Sequence, residues 1–327
     1  MWDWEGALAE VTDGFAGVVS VSVGDEIEFE RGYGPADRAH GIPVTTSTRF
    51  GIASATKGFT ALSVVSLVVG GTLGLDTTAR SLLGADLPLI DDRVTVEHLL
   101  THRSGIGDYV DEDLPEPLPL KVPVQDLETT EDYLPALDGF PAKFPPGTRF
   151  SYCNGGYVVL ALLAERASGI RFPDLVSQRV FEPAGMTETS FPRSDEPTPG
   201  QATGYCDDGR TNVFLLPVRG SGDGGAFSTI ADLRRLWPAL YSGSVVPLDW
   251  VRRMTTPVTR DATDRFGYGI GFWLREDAKV QLEGCDHGVS CRSIHDPGSS
   301  RTVVVLSNTT EGAFPVARRV ADMVFTG

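Results

Sequence analysis

The chain has 327 residues, 41% hydrophobic and 22% charged, the make-up of a globular protein with ample material for a core. Acidic side chains outnumber basic ones 44 to 28, giving a formal net charge of −16. Such a surface repels polyanions, which sets aside nucleic acids and anionic membranes as partners.

The first residues, Met1-Trp2-Asp3-Trp4-Glu5, lack the basic stretch and apolar run of an export signal, so a cytoplasmic protein is expected. Residues 4–12 read as a short helix. Between 15 and 34, apolar and polar side chains alternate about Gly24-Asp25 (Val18, Val19, Val21 and Val23, then Ile27 and Phe29), the pattern of a β-hairpin. Residues 54–70, 95–102, 154–168, 173–181 and 228–242 carry apolar side chains at helical spacing. Gly169 and Gly243 stand where C-terminal caps belong, and Pro173 suits a first helical position. The longest apolar run, 61–69, is far short of the roughly 20 residues that span a membrane. Strand-like runs at 268–274, 279–283, 289–294 and 302–306 follow, and a helix over 315–325 closes the chain. Both ends are β-rich and the middle is helical. This predicts an antiparallel sheet built from the two termini, a helical insertion, and a cleft where they meet. Cys153, Cys206, Cys285 and Cys291 show neither C-x-x-C pairing nor zinc-ribbon spacing, so free thiols are expected.

The stretch richest in chemistry is Arg49-Phe-Gly-Ile-Ala-Ser-Ala-Thr-Lys-Gly-Phe-Thr60. Ser54 and Lys57, three apart at a helix start, share one face. A serine hydroxyl is a poor nucleophile until a base takes its proton, and a desolvated lysine is such a base. A helix N-terminus adds free N–H groups for an oxyanion. Of the 28 basic residues only Lys57, Lys121, Lys143 and Lys279 are lysines. Arginine cannot be deprotonated, so a lysine kept in an apolar helix suggests amine chemistry. Tyr152 and Asn154, two apart after Pro145-Pro146-Gly147, offer a phenol to relay a proton and a carboxamide to hold a substrate amide or carbonyl.

Ser54-Ala-Thr-Lys57, then Val96-Glu-His-Leu-Leu-Thr-His-Arg-Ser-Gly-Ile106, then Pro146-Gly-Thr-Arg-Phe-Ser-Tyr-Cys-Asn154 resemble, in order, the class C β-lactamase-related serine hydrolases, which include penicillin-binding-protein-like and esterase-type members. Gly224-Gly-Ala-Phe-Ser-Thr-Ile-Ala-Asp232 and Tyr268-Gly-Ile-Gly-Phe-Trp273 extend the likeness over nearly the whole chain. The resemblance implies an α/β (α+β) fold: a three-layer α-β-α sandwich around an antiparallel sheet, with an all-helical subdomain. The division expected is a discontinuous sheet domain, 1–52 with 220–327, and a helical subdomain, 53–219. It implies that Ser54 carries the acyl group, that Lys57 and Tyr152 share acid/base duty, and that Asn154 touches the substrate. The substrate expected is a small-molecule ester or amide, with no cofactor and no metal.

The family's third motif, K-T-G or H-x-G on an edge strand, is altered here to Glu283-Gly-Cys-Asp-His-Gly-Val-Ser-Cys-Arg-Ser293. Two registers fit: Cys285-Asp286-His287 with Gly288 supplying the oxyanion N–H, or Asp286-His287-Gly288 with Val289 supplying it. Neither opens on a cation, and that position helps hold a substrate carboxylate. Esters and simple amides therefore suit the chain better than β-lactams. An acyltransferase, a D-aminopeptidase and a non-catalytic ligand sensor are the alternatives. His98 and His102 have metal-ligand spacing, but the H-E-x-x-H pattern is absent and no third ligand stands out, so packing or capping is expected. Cys153 and Cys285 read as core thiols, and Asp108-Tyr109 and Asp111-Glu112-Asp113 as a solvated loop by the entrance.

Overall fold

A computed structural model describes residues 3–112, 114, 120–260 and 266–325; Asp113 of the acidic loop lies outside them. Helix α1 (Trp4–Thr12), capped by the Asp3 side chain, leads into the expected hairpin of β1 (Gly17–Val23) and β2 (Glu26–Tyr33). β3 (Pro35–Asp37) pairs with β4 (Ile42–Pro43), and β5 (Phe50–Gly51) ends at the Ser54 turn. The middle holds α2 (Thr56–Val69), α3 (Ala79–Leu83), α4 (Val96–Leu100), α5 (Leu134–Leu137), α6 (Asn154–Ser168), α7 (Phe172–Val176) and α8 (Glu182–Ala184). Then come β6 (Phe227–Ser228), paired with β5, and helices α9 (Ile230–Tyr241) and α10 (Leu248–Met254). The chain finishes with β7 (Thr259–Arg260), β8 (Phe266–Tyr268), β9 (Trp273–Arg275), β10 (Val280–Asp286), β11 (Val289–Asp296), β12 (Arg301–Ser307) and α11 (Ala313–Phe325).

Eight strands make one antiparallel sheet in the order β2-β1-β12-β11-β10-β9-β8-β7. β1 lies beside β12, Gly17 opposite Ser307 and Val23 opposite Arg301, so strands from both ends of the chain meet within the sheet. The side-chain period of two sends Val19, Val21, Val303 and Val305 to one face, where Leu8 of α1 and Val316 and Val320 of α11 cover them. Val18, Val304, Leu306 and Leu282 go to the other face and join Phe59 of α2, Leu160 of α6 and Trp237 of α9 in a larger core. The result is the α-β-α sandwich expected. Central strands buried on both faces explain the unbroken Val-Val-Val-Leu run of β12.

Two expected elements differ. The strand read at 268–274 is a hairpin, because the chain doubles back after Tyr268 and the Gly269 N–H donates to the Phe272 carbonyl at 3.0 Å. The helix read at 173–181 ends at Val176 and continues as a wider turn through Phe181. Among the described residues no helix is long and apolar enough to cross a membrane.

Candidate active site

Ser54 sits in a short 3₁₀ turn, Ala53–Ala55, that joins β5 to α2. The turn is forced: Ala53 has φ +45°, a conformation that costs a non-glycine residue on the order of 1 kcal/mol or more. Lys57, one turn on and 2% exposed, brings Nζ to 2.9 Å from Ser54 Oγ, 2.7 Å from Asn154 Oδ1 and 2.7 Å from the Asp223 carbonyl. The last two partners only accept. A neutral amine gives them its two N–H groups and turns its lone pair to the Ser54 hydroxyl. Burial pushes the Lys57 pKa down, against the opposing pull of Asp223, Glu112 and Asp108, and so favours that neutral form.

The Tyr152-Cys153-Asn154 segment is held from behind. The Asp108 carboxylate, 2% exposed, accepts the Asn154 N–H on one oxygen at 2.6 Å and the Gly155 N–H on the other at 2.7 Å, satisfying the first donors of α6. His102 Nδ1 accepts the Cys153 N–H at 3.0 Å. Its ring lies 4.4 Å from the Tyr152 ring, whose other neighbour is Trp273, stacked at 5.9 Å. The Tyr152 phenol hydrogen-bonds with Ser54, and burial drives its pKa well up, so it stays protonated. His98 closes the capping box of α4 with Thr95. Both histidines therefore serve loop and helix ends. Among the described residues no group of three or more His, Cys, Asp or Glu side chains is arranged for a metal ion.

The third motif takes a different register from either one expected. Asp286, His287, Gly288 and Val289 line the cleft with Ser54, but the Gly288 N–H donates to Thr310 Oγ1 at 3.0 Å. The His287 N–H donates to Asp286 Oδ1, and Val289 is paired with Asp286 across the hairpin. What abuts Ser54 is Gly284: a Cβ there would overlap the Ile52 carbonyl oxygen and stand 2.8 Å from Ser54 N. Only glycine permits that approach. β9 pairs with β10 only at Val280 and Gln281, so the rest of that edge is open. The Lys279 carbonyl accepts from Arg275 N–H on the β9 side. The period of two then points the Cys285 N–H outward along the same edge, beside Ser54. The motif thus falls on Leu282-Glu283-Gly284, three residues before the first expected register. No cation opens it: Leu282 is buried against Gly58 of α2, and Glu283 pairs with Arg292.

Around Ser54 runs a cleft of about 990 Å³. Glu112, read from the sequence as solvated, accepts from Asn154 Nδ2 at 3.0 Å, and Asp223 Oδ2 accepts from the Tyr109 hydroxyl at 2.6 Å. Asp108 is buried rather than solvated, and Asp223 carried no signal beyond its place in Gly222-Asp-Gly-Gly225. Cys285 opens onto the cleft, whereas Cys153 and Cys291 are buried.

A profile of the family described as "Beta-lactamase" matches residues 5–324, and the chain belongs to that family of serine hydrolases. "Penicillin-binding protein 4*" of Bacillus subtilis (strain 168) is 30% identical over 319 residues, 91% of this chain and 69% of the relative. A "D-aminopeptidase" of Brucella anthropi is 28% identical over 95% of this chain; the chain spans only 59% of that enzyme. A crystal structure of a penicillin-binding protein from Bacillus halodurans superposes with a TM-score of 0.90 at 35% identity, covering 98% of this chain and 99% of the other.

Proposed function

We propose that this hydrolase acylates Ser54 with an ester or simple amide that has no obligatory carboxylate, and that water then releases the acid. Ser54 Oγ attacks the substrate carbonyl carbon while its proton passes to Lys57 Nζ, directly or through the Tyr152 phenol. The Ser54 and Cys285 N–H groups hold the oxyanion that forms, a contribution of about 3 kcal/mol per donor in other acyl-transfer sites. As the carbonyl re-forms, the bond to the leaving group breaks and Tyr152 or Lys57 returns the proton to it. Attack of water on the acyl-serine repeats the cycle and regenerates Ser54. Asn154 fixes Lys57 through Oδ1 and touches the bound acyl group. Asp286, His287, Gly288 and Val289 form the cleft wall on the sheet side. The apolar Leu282 at the opening of the third motif supports an ester or amide over a β-lactam.

The same reading divides the chain into a sheet unit, 1–52 with 220–327, and a helical unit, 53–219, with Ser54 at the seam. It assigns the protein to the cytoplasm, where its four free cysteines stay reduced.

The observation that carries this proposal is the 2.9 Å approach of Lys57 Nζ to Ser54 Oγ, with both other partners of the amine being acceptors. Incubation with a fluorophosphonate followed by intact-mass analysis is expected to show one adduct, absent from Ser54→Ala. Lys57→Arg, which keeps the charge but cannot deprotonate, is expected to lower kcat on p-nitrophenyl esters by about 10²–10⁴. Full activity in either variant, or saturable ester binding without turnover, overturns the proposal.

A further inference from the structure

Residues 212–218 cross the cleft as an arch tied down at both ends. At one end Asn212 Nδ2 donates to the His287 carbonyl at 2.8 Å, and the Asn212 N–H donates to the Gly204 carbonyl at 3.1 Å. At the other the Val218 N–H donates to the Val124 carbonyl at 2.9 Å, and the Arg219 N–H to the Leu127 carbonyl at 3.1 Å. His287 lies in the turn between β10 and β11, whereas Val124 and Leu127 belong to the helical middle. The arch therefore joins the two walls of the cleft that holds Ser54.

Between the anchors stand Val213, Phe214, Leu215 and Leu216, all of them lining the cleft. The first three are exposed, Phe214 to 83%, and a run of apolar side chains held in water on an anchored turn marks a binding groove. Leu120 and Val122, on the stretch bonded to the arch at Val124, extend the same apolar surface. Polar side chains such as Gln201 and Thr203 enter the lining from a separate segment, hydrogen-bonded through its backbone to Arg49 and Ala36. Near Ser54, burial pushes the Asp223 and Asp286 carboxyls up, towards their neutral form. No lysine or arginine is among the described lining residues, so an anionic group finds no counter-charge there. The Tyr152 phenol, bonded to Ser54 and placed to return the proton, sits between His102 and Trp273, outside the lining. The leaving group faces Tyr152, and the acyl group faces the arch.

We infer that the acyl group of the substrate is an uncharged, medium-length alkyl chain that lies under the arch, with Phe214 and Leu215 setting the preference for its length. This inference rests on Ser54 being the acyl acceptor.

The test measures kcat/KM of the wild-type protein on p-nitrophenyl acetate and p-nitrophenyl octanoate. Burial of the added methylenes is expected to make the octanoate the better substrate by about tenfold or more. In Phe214→Ser and Leu215→Ser that ratio is expected to fall at least about threefold. Ile42→Ser, also exposed and apolar but on β4 outside the cleft, is expected to keep the parent ratio. A smaller ratio in the parent protein, or one that both arch variants leave unchanged, overturns the inference. Arch variants that keep the ratio but alter the gel-filtration mass place a second copy of the chain on the arch, and overturn it as well. Ser54→Ala is titrated with octanamide and acetamide, a comparison that needs no turnover. If octanamide binds about tenfold more tightly while the wild-type protein takes up no fluorophosphonate, the apolar site stands and the acyl-serine reading fails instead.

Discussion

At the scale of single residues, Asp108 shows how a side chain with no motif of its own sets a motif's geometry. Its two oxygens each accept a different peptide N–H of the Asn154-Gly155 step. Asparagine there accepts with one oxygen and presents an NH₂ to the other donor, leaving a buried N–H unpaired at a cost of about 1–3 kcal/mol. Asp108→Asn is therefore expected to lower stability by that amount and, by shifting Asn154 and Lys57, to lower kcat about tenfold or more. The pH dependence has a definite sign. Burial pushes the Asp108 pKa up to about 6 from the ordinary 3.8. Its stabilising contribution is thus complete below about pH 4 and fades as pH rises through about 6, by up to roughly 3 kcal/mol. Urea unfolding of wild type and variant across that range measures the difference, and a flat difference contradicts the assignment. Ser54 and Lys57 were legible because their spacing and the scarcity of lysine mark them, and Tyr152 only through the resemblance of the Ser151-Tyr152-Cys153-Asn154 stretch. Asp108 and Glu112 were not, because an acid in a loop has the same sequence signature whether it is solvated or buried against a helix start.

At the scale of elements, legibility followed local signals. The α6 bounds agree with the sequence reading because Gly169 ends that helix in the left-handed conformation, φ 68°. The β8–β9 hairpin was lost because its four-residue reversal interrupts an otherwise continuous apolar run. The third motif was misplaced for another reason: its mark is not a residue type but a close approach, that of Gly284 to the Ile52 carbonyl and Ser54 N. Both neighbours are backbone and cannot swing aside. Gly284→Ala is expected to push β10 off the Ser54 turn, lowering kcat/KM about 100-fold and stability by about 1–3 kcal/mol. The opposite end of the site is tied by α2 itself. Besides the Lys57 bond to Asp223, Thr60 Oγ1 donates to the Gly222 carbonyl at 2.6 Å and the Ala226 N–H donates to Thr56 Oγ1 at 3.2 Å. Wild-type kcat/KM in Gly284→Ala, measured on p-nitrophenyl esters, removes Cys285 from the oxyanion assignment.

For the whole molecule, a sequence that is β-rich at its ends and helical in its middle suggests two bodies, yet the packing joins them. The core beneath the sheet runs without interruption from Val18, Val304 and Leu282 to Leu99, Leu160 and Phe172 of the helical middle. Ser54 stands where β5, α2 and β10 converge, and Gly284 locks the strand to that turn. The first and last long strands also pair with each other, so the sheet is not complete until the chain has closed a loop of nearly its full length. Loss of either half then strips apolar cover from the other, at about 25 cal/mol per Å² exposed. Unfolding is expected as one cooperative transition, with far-UV circular dichroism, tryptophan fluorescence and esterase activity sharing one urea midpoint. Were activity to vanish in an earlier step while the sheet signal persisted, the helical unit would be an autonomous body, and the cleft a hinged junction instead of part of one continuous core.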